Sequence, residues 1–147
     1  MTTSTVEDFL SKDDEQDIIK AIREAEMQTS GEIRVHLERH TNKDPLQRAQ
    51  ELFHLLKMDN TKEENGVLIY VAVDDHTFAI CGDTGINKKV PENFWESTKN
   101  KMITHFKKGH FKEGIIAGIT SAGNQLAQYF PWQHGDINEL PDEITTS

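Results

Sequence analysis

Asn65-Gly66-Val67-Leu68-Ile69-Tyr70-Val71-Ala72-Val73-Asp74-Asp75-His76-Thr77-Phe78-Ala79-Ile80-Cys81-Gly82-Asp83-Thr84-Gly85 reads as a strand going out, a tight turn and a strand coming back. The first run lacks alternation, as a central strand covered on both faces does. The Asp74-Asp75-His76 turn is short, so the two strands pair antiparallel. Asp83 is thereby delivered beside Asn65 at one end of a sheet. Glycines at both places let backbone groups approach a ligand closely.

Upstream, Glu32-Ile33-Arg34-Val35-His36-Leu37-Glu38 carries apolar residues at alternate positions, which predicts a strand with one buried face. Between it and the 67–73 strand, Asp44-Pro45 gives an N-cap followed by proline at the first helical position. Leu46, Ala49, Phe53 and Leu56 then form a stripe at helical spacing, widened by Leu52 and Leu55. Strand, helix and strand in this order make a right-handed crossover with parallel strands. A first helix is expected after Ser11, with Ile18, Ile22 and Ala25 in one stripe flanked by Ile19 and Ala21. Pro91 is expected to open a third, with Trp95, Thr98, Met102 and Phe106 on one face. A fourth runs through Phe111, Ile115, Ile119, Ala122 and Leu126 to Pro131. The expected fold is α/β: a three-layer αβα sandwich with about four helices. Its small mixed sheet joins a parallel β-α-β unit to an antiparallel hairpin. Residues 1–10 are expected to be a flexible N-terminus, 11–131 the domain, and 132–147 an acidic C-terminal tail.

The 147 residues carry a net charge of −9, which repels nucleic-acid phosphates and favours cations or basic partners. No apolar stretch approaches the roughly 20 residues that cross a bilayer. The N-terminus lacks the basic and apolar regions of a signal peptide, so cytoplasmic residence without membrane insertion is expected. Cys81 is the only cysteine, which excludes an internal disulfide and a cysteine zinc cage.

Parallel strands start at the same sheet end, so Ser30-Gly31-Glu32, the 58–65 loop, Asn65-Gly66 and Gly82-Asp83 share one rim. Glu32, Asp59, Asn65 and Asp83 can supply hard oxygen ligands there, suited to Ca²⁺ or Mg²⁺. The plainer alternative is that these glycine-flanked residues serve only turns. The opposite rim holds Asp74 and Asp75, with His40 and Asn42 nearby, at the carboxyl ends where open α/β sheets usually bind ligands. Asp83-Thr84-Gly85 matches the aspartic-protease tripeptide, but a single copy in a helix-rich chain excludes that chemistry.

Ser30-Gly31-Glu32-Ile33-Arg34-Val35, the Asn65–Ala72 block, Ala79–Ile86 and Phe111-Lys112-Glu113-Gly114-Ile115 together resemble the TPM domain family. That family includes thylakoid-lumen proteins linked to photosystem repair and a worm receptor modulator. The resemblance implies the αβα sandwich, binding of divalent cations, chiefly calcium, and for some plant members an acid phosphatase activity. Plant-type members often lack an acid where this chain has Asp83. The leading expectation is therefore a domain binding Ca²⁺ or Mg²⁺ through acidic loops. The alternatives are a metal-dependent phosphatase acting on phosphate monoesters and a protein-interaction module of unknown partner.

Overall fold

The computed structural model describes residues 10–132 and 144–146. It contains five helices and four strands: α1 (Lys12–Glu26), β1 (Glu32–Glu38), α2 (Pro45–Leu55), β2 (Gly66–Ala72), β3 (Thr77–Gly82), α3 (Thr84–Asn87), α4 (Glu96–Lys107), α5 (Phe111–Tyr129) and β4 (Ile144–Thr146). The sheet runs β3-β2-β1-β4. β1 lies parallel to β2, with Glu32 opposite Gly66 and Glu38 opposite Ala72. β3 pairs antiparallel with β2, with Val67 opposite Gly82. The αβα sandwich, the crossover and the hairpin are as the sequence predicts.

Alternation along the strands sorts the core into two halves. Ile33, Val35, Leu37, Val67, Ile69, Val71 and Ile80 meet Ile18 and Ile22 of α1, Met102 of α4 and Ile115, Ile119 and Leu126 of α5. Leu68, Tyr70, Ala72, Ala79 and Cys81 face the other way, against Ala49, Leu52 and Phe53 of α2 and the loop residue Met58. α1 starts at a Ser11 cap whose side chain accepts from the Asp14 amide, and α2 starts at Asp44, which accepts from the Leu46 and Gln47 amides.

Several expectations need correction. β1 is buried on both faces: Glu32, Arg34 and His36 are as enclosed as the apolar residues between them. The reason is position, because β4 pairs parallel with β1 through Val35, His36 and Leu37, making β1 an inner strand. The last residues of the expected tail thus supply a fourth strand. Of the segment 1–10 expected to be flexible, Leu10 is buried in the core and the rest lies outside the described residues, as does most of the expected tail beyond the exposed Trp132. On α2 the apolar stripe is narrower than its spacing indicates, since Leu46 and Leu55 are exposed. Pro91 does not open a helix. The chain turns through Phe94 N–H to Pro91 O and Glu96 N–H to Asn93 O, and α4 begins at Glu96.

The fifth helix is the short α3, capped by Asp83. Here Gly85 is needed for close approach, because a Cβ would stand 2.2 Å from Glu63 O and 2.5 Å from Glu64 O. Both atoms are backbone and cannot swing aside. Gly85→Ala is therefore expected to cost about 2 kcal/mol through overpacking, read as a lowered urea midpoint with unchanged slope. A neutral result would mean that the 63–64 loop yields freely.

Candidate functional site

The parallel register aligns the amino ends of β1 and β2, and the antiparallel return of β3 brings Asp83 to the same level. The Glu32 amide donates to Asn65 O (3.3 Å) and the Asp83 amide to Gly66 O (2.9 Å). Glu32, Gly66 and Asp83 thus form a row across three strands. Glu32 and Asp83 lie two interstrand spacings apart, roughly 10 Å at their Cα atoms.

Side-chain direction follows from alternation. Gly31 faces α5, since a Cβ there would meet Leu126, so Glu32 points to the α2 side. Asp83 shares that side with Cys81. Burial pushes the Cys81 thiol up to about 11, and the nearby Asp83 carboxylate adds to the shift. A thiol held protonated in this way is no nucleophile. Gly66 carries no side chain, and a Cβ there would stand 2.8 Å from the carbonyl oxygen of Met58. A backbone oxygen therefore occupies the gap between the two carboxylates. Sequence reading missed it because a carbonyl has no signature in residue type.

All three residues are well enclosed, with Glu32 3%, Asn65 1% and Asp83 7% exposed, and by the same alternation the Asn65 side chain turns with Val67 toward the α1/α5 side. The Asn65 side-chain amide donates to Ser30 Oγ (3.2 Å) and its backbone amide to Thr61 Oγ1 (3.2 Å). Asp83 Oδ1 accepts from the Thr84 amide at 2.7 Å. Asp83 Oδ2 is buried with no hydrogen-bond partner among the described residues. Half of this carboxylate thus lacks the compensation that burial of a charge requires.

The other sequence-predicted ligands are placed differently. Asp59 is exposed, and its carboxylate meets His54 Nδ1 at 3.0 Å, so Met58 contributes the loop oxygen nearest Gly66. Asp74 and Asp75 lie at the far end of the strands. Arg39 Nε donates to Asp74 (3.0 Å), and Asp75 is bound by His40 and by the Thr41 amide. Both aspartates already have hydrogen-bond partners, a guanidinium for Asp74 and an imidazole for Asp75. Among the described residues no group of three or more His, Cys, Asp or Glu side chains stands close enough to hold a metal ion. A cation at the first rim would accordingly rest on two carboxylates completed by neutral oxygens.

Along the α2 side of β1 the row continues from Glu32 through Arg34, His36 and Glu38. Arg48 of α2 clamps Glu38 through Nε (3.0 Å) and Nη2 (2.8 Å), and the Tyr70 hydroxyl donates to the same carboxylate at 2.6 Å. Burial, with help from Glu38, raises the Tyr70 hydroxyl above its ordinary range. Reading Glu32, Arg34 and His36 as a solvent face overlooked that the inner strand of a three-layer sandwich has none.

Two histidines follow opposite rules. Burial pushes His36 down from 6.5 to about 4, opposed by Glu38. His40 has Nδ1 2.6 Å from Asp75 and Nε2 2.8 Å from Asn42 Oδ1, and the Asp75 bond holds it above 6.5. Between about pH 4 and 6.5 the unfolded chain protonates residue 36 while the folded one does not, so stability falls as pH drops through that window. The His40 contribution is complete below 6.5 and is lost as pH rises through its raised folded value. One NMR titration of the imidazole resonances checks both, and Asp75→Asn is expected to return His40 toward 6.5 while leaving His36 alone.

No helix among the described residues is long and apolar enough to cross a membrane. The chain is similar over 99% of its length, at 54% identity and a TM-score of 0.92, to the whole BA42 protein of the psychrophilic bacterium Bizionia argentinensis. The N-terminal domain of a P. gingivalis protein matches with a TM-score of 0.68 at 19% identity, covering 91% of this chain and 99% of that one. The N-terminal domain of the cg2496 protein of Corynebacterium glutamicum matches with a TM-score of 0.64 at 14% identity, covering 92% and 79%. These two show a shared fold. Comparison with curated proteins gives no match. The family model for the TPM domain matches residues 4–125, and the chain belongs to the TPM domain family.

Proposed function

We propose that the domain binds a divalent cation, Ca²⁺ or Mg²⁺, at the rim formed by Glu32, Asn65 and Asp83. The observation that carries this reading is Asp83 Oδ2, buried and without a hydrogen-bond partner among the described residues. It lies in the same row as Glu32, with the Met58 carbonyl over the side-chain gap at Gly66. Carboxylate, carbonyl and amide oxygens are the donors that hard cations take, with water completing the shell. The chain's charge of −9 attracts such an ion from a distance. Asp74 and Asp75 are the weaker set, because binding there must first displace Arg39 and His40.

A second reading is hydrolysis of phosphate monoesters at the same rim. Its basic group would be Arg34, two positions beyond Glu32 on the same strand face, about 7 Å along the strand, whose buried guanidinium would exchange its present contacts for a phosphoryl oxygen. Bound metal would reverse the sign of the acidic edge and polarise the ester.

Calcium and magnesium titrations followed by backbone NMR test the main reading. The amides of residues 30–32, 58–59, 65–66 and 83–84 are expected to shift together. Asp83→Asn is expected to weaken binding by about tenfold or more, the loss of one charged ligand. Asp74→Asn and Asp75→Asn are expected to leave it unchanged. Absence of any rim shift at millimolar cation would end the proposal. Release of phosphate from an aryl ester that depends on both metal and Arg34 would establish the second.

A further inference from the structure

A groove of about 390 Å³ runs between α4 and α5, in the helical layer across the sheet from α2. Its shape follows from two glycines. Gly114 and Gly118 admit the Phe106 ring and Met102 against the α5 backbone, since a Cβ would stand 2.3 and 2.6 Å from them. The helices close on that side and leave the flank open. Half-buried Ile116 and Ala117 floor the opening, with Thr120 and Asn124 at one end. A volume of this size falls within the range of small-molecule sites.

The edges carry opposite charges. Lys101 of α4 and Glu113 of α5 both line the groove and are exposed. Neither makes an ion pair among the described residues, although Lys112, one position from Glu113, is held by Asp14 and Asp17. The packing of Met102 on Gly118 and of Thr98 on Ser121 (2.8 Å) sets Lys101 level with residues 118–120. Glu113 therefore sits some six residues earlier on α5, about 9 Å along its axis. His105 also lines the groove; its Nδ1 is turned away from the opening, buried and without a hydrogen-bond partner among the described residues. A buried ring nitrogen ordinarily has one.

We propose that this groove binds a small zwitterion of the free-dipeptide class, its ammonium at Glu113 and its carboxylate at Lys101. Two residues of extended chain span about 7 Å, which the reach of the Lys101 and Glu113 side chains accommodates. The peptide group falls beside the His105 ring, and small side chains rest on Ile116 and Ala117. A simple anion would leave Glu113 facing a like charge, and a simple cation would do the same at Lys101. The site is independent of the cation rim.

Ala-Ala, N-acetyl-Ala-Ala and Ala-Ala-amide, titrated into the ¹⁵N-labelled full chain in the presence of EDTA, test the proposal. Free Ala-Ala is expected to shift the amides of Lys101, His105, Glu113, Ala117 and Thr120. Capping either end is expected to weaken binding about tenfold, the value of one charge-assisted contact. Glu113→Gln, at an exposed position, is expected to abolish the preference for the free amine and to retain that for the free carboxylate. Lys101→Gln is expected to do the converse. Equal binding of capped and free peptides, or shifts absent from the groove at millimolar peptide, would overturn it.

Discussion

The parallel pairing of β1 with β2 is the constraint on which the rest depends. Glu32 stands opposite Gly66, and the hairpin then returns Asp83 to Gly66 from the other side. A slip of one residue in either pairing would turn a whole strand over, because side chains alternate with period two. Register is held by the apolar set on the α1/α5 side, where Ile33, Val35, Leu37, Val67, Ile69 and Val71 are essentially inaccessible to solvent. The hydrophobic pattern therefore positions the polar row indirectly. Each charged residue of β1 goes to the α2 side because its apolar neighbours are claimed by the other.

That polar row is expensive. Ionisable groups taken from water need partners, and the far end of the row provides them: Arg48 and Tyr70 both serve Glu38. At the near end the balance differs, with one Asp83 oxygen satisfied by a helix amide and the other by nothing protein-borne among the described residues. The sheet is thus tightly neutralised at the Glu38 end and holds an unsatisfied carboxylate oxygen of Asp83 at the other. The first end anchors the crossover helix through Arg48.

Much of the architecture was legible in the residues. The unbroken apolar run 67–73, the Asp44-Pro45 cap and the alternation in 32–38 lead directly to the crossover and hairpin. The co-location of Glu32, Asn65 and Asp83 also follows from strand direction alone. What escaped reading has physical causes. Ile144-Thr145-Thr146 is too short to announce a strand, and it exists because β1 offers an edge to pair with. Leu46 and Leu55 share helical spacing with core residues, but periodicity does not report how wide a stripe the sheet covers. The Met58 carbonyl, the orphaned oxygen of Asp83 and the groove beside His105 arise from tertiary packing, which no local pattern encodes.

The position of β4 bears on the order in which the molecule assembles. Thr145 meets His36 across 109 intervening steps of chain, whereas β2 and β3 are joined by a turn of a few residues. Even after α5 has docked and its end meets Ser30, a pairing of only three residues returns little on its own against the cost of closing the last connection. The hairpin and the crossover can form while this edge is still open. Docking of the C-terminal strand is then a late event, and on the unfolding path an early one, so the kinetic frontier of the fold runs along the outer side of β1.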